Sequence, residues 1–367
     1  MYKIIVINPG STSTKMSYFI DEKEVVFESL YHKAEDLLLF PNSLSQMDYR
    51  LSQVEAFIDK HNIQIDEVSA FVGRGGVLPP LSGGTYLVDE EMVDDLKHHV
   101  QADHPSNLAG LIAAVLAQES LSKGGNSIPL ITDPVSVDEF EPLAYISGLP
   151  EIKRKCLSHA LNMKAVVRQL VKDLNLDYYN STFIVANLGS GISIAPMVGG
   201  RIVDVNNANE GGPFSIDRAG TLPTVSLIDL CFSGKYSREE LIKMVSTKGG
   251  IFAYLGTKDL SVVENKIHEG DDYAKLVFEA MVYQIAKEIG AMCTVVKGKY
   301  EGIVITGGMS RSTLLVNSLK ERISFLGETY VYPGEEEMLA LAQSALRVLR
   351  KEEEMKIYKY YKRSDKS

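Results

Sequence analysis

Apolar positions recur along this chain in two rhythms. Short apolar-rich runs, the pattern of strands buried on both faces, fall at residues 4–7, 68–72, 128–132, 183–186 and 301–306. Helical spacing marks 49–61 through Leu51, Val54, Phe57 and Ile58, and 271–296 through Leu276, Met281, Ile285, Ile289 and Met292. It returns at 335–350 through Met338, Leu341, Ala342, Ala345 and Leu349. Further helices are expected at 89–98, 106–122, 157–174 and from Ser312, and the charged tail beyond Arg350 is expected to fray.

The strands have an order. The run at 4–7 enters a loop, Asn8-Pro9-Gly10-Ser11-Thr12-Ser13-Thr14-Lys15, followed by strands at 16–20 and 24–31, a three-stranded meander. Gly10 permits close approach or positive φ, the hydroxyls of Ser11 and Ser13 suit anionic oxygens, and Lys15 adds charge. This is a phosphate-grip chemistry without being the P-loop, because a strand rather than a helix follows the lysine. A serine-rich turn that only joins two strands is the alternative. The second half repeats the order: strand 183–186, loop Asn187-Leu188-Gly189-Ser190-Gly191, strand 192–198, a Gly199-Gly200 turn and strand 201–205. The echo of Asn8-Pro9-Gly10-Ser11 in Asn187-Leu188-Gly189-Ser190 points to a duplicated α/β domain that grips a nucleotide's phosphates from both sides.

Length and charge narrow the classes. The 367 residues suffice for two domains, and 45% apolar content is that of a globular protein. A net charge of −10, spread along the chain, argues against a nucleic-acid or anionic-membrane partner. Cys156, Cys231 and Cys293 form no C-x-x-C pair, so neither zinc nor disulfides are proposed. With no export signal in the sequence, a cytoplasmic location is expected. The domains are expected at 1–150 with 335–367, and at 151–334.

Arg74 and Asp133 fall just past predicted strands, at the edge where open α/β sheets bind ligands. Residues 206–223, which contain Arg218, form a loop longer than the ~12–15 residues of an idle connection. Gly307-Gly308 join a strand to a helix start, a suitable ligand end. His98, His99 and His104 lack the spacing of a metal pair, the first two being expected to face solvent.

Six blocks, INPGSTSTK, RGGVLPPLSGGTY, DPVSVDEF, HALNMKA, DVNNANEGGPFSIDRAGTLP with CFSG, and PGEEEM, resemble the acetate and butyrate kinase family in order, the butyrate kinase branch most closely. That family lies within the actin, heat-shock 70 and sugar kinase group. The resemblance implies two ribonuclease-H-like domains with an interdomain cleft, ATP/ADP and Mg²⁺ as cofactors, and a homo-oligomer, dimer or larger. It places Asn8 near Mg²⁺, Ser11, Ser13 and Lys15 on phosphates, Arg74 on the substrate carboxylate, and Asp133, His159 and Arg218 in catalysis. Gly189, Ser190 and Gly191 match the second phosphate loop, with Asn187 where acetate kinases have a histidine. Asp259, Gly307, Gly308 and Ser310 match the adenosine region, and Glu336 the metal-linked glutamate, although a slip to Glu335 or Glu337 changes that assignment. Gly76 and Ser158 replace bulkier pocket residues of acetate kinases, which favours an acyl chain longer than acetate.

The implied chemistry suits these residues. A carboxylic acid with a pKa of ~4–5 is ionised at neutral pH and needs no general base to accept a phosphoryl group. It needs cations that bring two anions together. The expected reaction is ATP-dependent, reversible phosphorylation of butyrate, with isobutyrate, propionate or acetate as alternatives. A hydroxyl-directed sugar kinase with Asp133 as base, or a non-enzymatic actin-like ATP module, are the competing readings.

Overall fold

Ile4, Ile5, Val6 and Ile7 are completely buried at the centre of β1 (Lys3–Pro9), the strand around which the first sheet is built. The computed structural model describes residues 1–358. β1 turns into β2 (Ser13–Ile20) and then β3 (Lys23–Tyr31), followed by α1 (Ala34–Leu37) and α2 (Met47–Lys60). β4 (Ala70–Arg74), β5 (Thr85–Leu87), α3 (Glu90–His98), α4 (Asn107–Ser122) and β6 (Ile128–Thr132) complete this stretch. Asp89 caps α3 by accepting from the Met92 N–H at 2.9 Å. α4 lies so close on the sheet that a Cβ on Gly73 would come within 2.7 Å of Ala109. Residues 139–158 hold no regular α-helix or strand.

The second run of elements begins with α5 (Ala160–Asp173), β7 (Thr182–Leu188), β8 (Ile192–Val198) and β9 (Arg201–Ile202). Gly199 and Gly200 make the β8–β9 turn with φ of 56° and 76°, the left-handed pair a two-residue hairpin requires. Four helices follow, α6 (Thr224–Cys231), α7 (Arg238–Ser246), α8 (Gly250–Leu255) and α9 (Leu260–His268). After them come the long α10 (Asp272–Val295), β10 (Gly302–Gly307), α11 (Thr313–Ile323) and β11 (Thr329–Pro333). The chain then returns to its first unit through α12 (Glu337–Leu349) and β12 (Lys356–Ile357).

Met1–Asp138 with the chain from Glu336 onward form one unit, and Glu139–Glu335 the other. The first boundary thus precedes the irregular stretch at 141–151. In the first unit the sheet order is β12-β5-β6-β4-β1-β2-β3, and in the second β11-β10-β7-β8-β9. Once β5 and β12 are set aside, both sheets share one order. An antiparallel meander lies on one side of the first strand and two parallel strands lie on the other. The fold is therefore α/β with two ribonuclease-H-like units, the actin-like ATPase arrangement. The duplication also has a common register: Asn8 is the sixth of seven residues in β1, and Asn187 the sixth of seven in β7.

Several local expectations change. β7 continues through Asn187 and Leu188, so these are strand residues rather than loop residues. α5 starts at Ala160, leaving His159 at its N-cap position. The segment after Arg350 does not fray entirely: β12 pairs with β5, and Tyr358 is fully buried with its hydroxyl donating to Asp95 Oδ2 at 2.7 Å. The rest of that tail, 359–367, lies outside the described residues. Burial and this acceptor push the Tyr358 phenol far above its usual range. Tyr358→Ala should destabilise the protein by about 3–5 kcal/mol and Tyr358→Phe by about 1 kcal/mol, read from urea unfolding midpoints. An unchanged midpoint for Tyr358→Ala would contradict this anchoring role.

Candidate active site

In the first unit, three side chains converge at the C-terminal edge of the parallel strands. Asn8 comes from β1, Arg74 ends β4, and Glu337 is the first residue of α12. Asn8 Nδ2 donates to Glu337 Oε2 at 2.8 Å, and Arg74 Nη1 lies 3.0 Å from Glu337 Oε1. Side-chain exposure is 25% for Arg74 and 14% for Glu337, so the pair is partly shielded yet reachable. The N-terminal end of α12 also favours an anion there. Glu336 sits at the N-cap position, exposed and without a side-chain cap bond. Of the three consecutive glutamates it is Glu337 that pairs with both Asn8 and Arg74.

The loop at 10–13 is closed by a hydrogen bond from Gly10 N to Ser13 O at 2.7 Å. Gly10 is not among the glycines with positive φ, and its missing Cβ would make ordinary contact with Ser13 O at 3.4 Å. Neither backbone strain nor internal crowding demands a glycine here, contrary to the positive-φ role open in the sequence. Ser11 and Lys15 are exposed and Ser13 half-buried, so the tip presents hydroxyls and one ammonium outward.

Asp133 follows β6 with φ of 39°, a strained conformation for a residue with a side chain. It is buried, and its Oδ1 accepts the Gly84 N–H at 2.7 Å. His104 Nδ1 lies 2.8 Å from Ser106 Oγ and accepts the Ser106 N–H at 3.1 Å. Burial first, and then the charge of Arg74, hold its imidazole below its ordinary range, so it is neutral near pH 7. His98 and His99 are 61% exposed, as expected. Among the described residues, His99 groups with Asp94 and Asp95 rather than with the other histidines.

In the second unit, Asn187 is completely buried and pairs in register with Ser193 and Thr306. Its Oδ1 accepts Asn162 Nδ2 at 2.6 Å, while its own Nδ2 is buried without a hydrogen-bond partner. His159 Nδ1 lies 2.9 Å from Ser193 Oγ. The turn itself is Gly189-Ser190-Gly191, tied by Gly189 N to Gly191 O at 3.2 Å. Arg218 lies across it: a Cβ on Gly191 would fall 2.5 Å from Arg218 Nη1. That guanidinium donates to Asn209 Oδ1 at 2.8 Å, and burial lowers its pKa. The loop at 206–223 is anchored at its start by Asn206, which accepts from Ile194 N and donates to Ile192 O at 2.6 and 2.8 Å.

Beside this turn is a cavity of about 680 Å³, within the size range of small-molecule sites. Gly189, Ser190, Asp259, Gly308 and Ser312 line it. Lys258 and Glu264 also line it, and neither stands out in the sequence. Asp259 caps α9, accepting from Ser261 N at 2.9 Å and Ser261 Oγ at 2.7 Å, and these bonds lower its pKa. Gly307 has φ of 94° against the Leu188 backbone, and buried Ser310 donates to Gly307 O at 2.7 Å; neither lines the cavity. The two-glycine stretch enters a short 3-10 turn, and α11 starts only at Thr313 with Ser312 as its cap.

Arg74 is thus paired with a carboxylate in one unit, and a glycine turn crossed by Arg218 lies beside a cavity in the other. The chain belongs to the acetokinase family, whose model matches residues 51–357. It is 47% identical over 359 residues to a probable butyrate kinase 2 of Caldanaerobacter subterraneus subsp. tengcongensis, covering 98% of this chain and 100% of the relative. It is 44% identical to butyrate kinase 2 of Clostridium acetobutylicum, covering 98% and 99%. In structure it matches Porphyromonas gingivalis acetate kinase with a TM-score of 0.77 at 17% identity, over 95% of this chain and 100% of that one.

Gly191→Ala places a methyl group where the Arg218 guanidinium lies, at a residue without positive φ. The expected outcome is a fall in kcat of about 10²-fold from the displaced arginine, with the thermal midpoint nearly retained. A wild-type kcat would show that Arg218 need not occupy this position.

Proposed function

We propose that this protein transfers the γ-phosphoryl group of ATP to the carboxylate of a short-chain fatty acid, butyrate foremost, in a reversible reaction. The observation that carries the proposal is the Arg74 guanidinium, which holds a carboxylate oxygen of Glu337 at 3.0 Å and so presents carboxylate-binding chemistry. The two whole-length relatives named for butyrate support the choice of acid.

In this reading a carboxylate oxygen attacks the γ-phosphorus, the bond to the β-phosphate oxygen breaks, and ADP leaves with that electron pair. Because the acid is already ionised, no proton moves. Arg74 holds and orients the acid. Arg218 and His159 donate to the phosphoryl oxygens as charge spreads over them. Gly189, Ser190 and the loop of Ser11, Ser13 and Lys15 hold the nucleotide's phosphates. Asp133, already accepting a backbone N–H, serves positioning rather than proton abstraction.

Asn8 and Glu337 also fit Mg²⁺. Asn8 turns its amide nitrogen to Glu337, which leaves its oxygen as a donor, and the set is all oxygen. Bound there with the nucleotide, Mg²⁺ would neutralise phosphate charge.

The acyl chain length has a narrower basis than the sequence implied. A Cβ on Gly76 would fall 2.5 Å from Asn107 Oδ1, so that glycine leaves no open space. Ser158, buried with an unpartnered hydroxyl, remains the candidate for extra room.

Incubation with MgATP, hydroxylamine and acids of one to six carbons should yield hydroxamate, with butyrate giving the highest kcat/KM. No hydroxamate from any acid would reject the proposal. Arg74→Ala should raise KM for the acid about 10²-fold, and Arg218→Ala should mainly lower kcat. Equal losses of ATP binding in both variants would contradict this division.

A further inference from the structure

Beneath the first loop lies a charge that no carboxylate of the described residues answers. Arg50, in α2, is completely buried. Its Nε donates to Gln46 Oε1 at 2.9 Å, and its Nη1 donates to Thr14 Oγ1 at 2.9 Å and Ser13 O at 3.3 Å. Nη1 also lies 3.4 Å from His32 Nε2. Its Nη2 is buried and has no hydrogen-bond partner. A buried guanidinium among neutral groups is costly. Stability alone therefore does not explain this residue.

Its contacts do. Ser13 O is the acceptor that receives Gly10 N and closes the loop, so Arg50 grips the carbonyl that sets the turn's shape. The same turn is braced by His32, whose backbone N donates to Thr12 O at 2.9 Å. The His32 ring lies 2.8 Å from Thr14 Oγ1 and 3.1 Å from the Tyr49 hydroxyl. All direct partners of the guanidinium are neutral, so its field is not cancelled locally and falls on whatever the loop holds.

We infer that Arg50 is a positioning residue of the β1–β2 turn at 10–13 and of the start of β2 that carries Lys15, fixing the turn and lending it an uncompensated positive charge that favours a polyphosphate. This rests on the reading of that loop as a nucleotide-phosphate site.

The test measures Kd for MgADP and for adenosine by calorimetry, for wild type, Arg50→Met, Arg50→Lys and Lys15→Ala. Arg50→Met should weaken MgADP binding about tenfold or more, the scale of one charge-assisted interaction, and leave adenosine binding unchanged. Arg50→Lys should recover part of the MgADP affinity. Wild-type MgADP affinity in Arg50→Met, or equal loss of MgADP and adenosine, overturns the inference. If Lys15→Ala weakens MgADP while Arg50→Met does not, only the role of Arg50 falls. If neither weakens it, the phosphate reading of the loop falls with it. Should Arg50→Met not fold, Arg50→Gln against Arg50→Lys supplies the same contrast of charge.

Discussion

The carboxylate of Glu337 is held from two strands, by a hydrogen bond from the Asn8 amide and an ion pair with the Arg74 guanidinium. The chemistry of the first unit depends on that arrangement. Two anions must meet in a carboxyl-directed phosphoryl transfer, and the protein's task is to supply cations without letting its own carboxylates quench them. Glu337 pairs with one nitrogen of the Arg74 fork at 3.0 Å, and a guanidinium's remaining donors are sufficient for a second planar carboxylate. His104, held neutral by burial and by Arg74, adds no charge to this balance.

The duplicated sheets carry this chemistry asymmetrically. Asn8 and Asn187 occupy the same place in equivalent strands, yet they do different work. Asn8 reaches a helix-borne carboxylate, whereas Asn187 hydrogen-bonds to Asn162. The loops that follow diverge in the same way. The first draws its charge from Lys15 at the surface and Arg50 below, and the second from Arg218 laid across Gly191.

Much of this was legible in the chain. Continuous apolar runs located β1, β4, β6, β7 and β10 because strands buried on both faces leave no room for polar residues. β5 and the edge strand β11 were missed, the first for its three-residue length and the second because it is half-exposed and lacks a clean alternation. β12 was missed because two residues after a charged stretch carry no periodic signal, although Tyr358 behind it is fully buried. Arg74 and the glycine turn at 189–191 were legible as candidates because they sit at strand ends, and Arg218 because its loop is long. The register within Glu335, Glu336 and Glu337 was not, because three identical residues at a helix start differ only in the direction each points. Arg50 was invisible for a related reason: within an amphipathic helix a lone arginine reads as a solvent-facing residue, and only the fold shows it buried under a loop 36 residues earlier in the chain.

The most direct test of this account compares Glu337→Gln with Glu336→Gln, measuring the Mg²⁺ concentration for half-maximal rate and KM for butyrate. The account predicts a rise of about 10–100-fold in the Mg²⁺ requirement for Glu337→Gln, with an altered butyrate KM, and changes within about threefold for Glu336→Gln. The reverse order, or equal effects in the two variants, would contradict the role given to Glu337 and with it the organisation of the first half of the site.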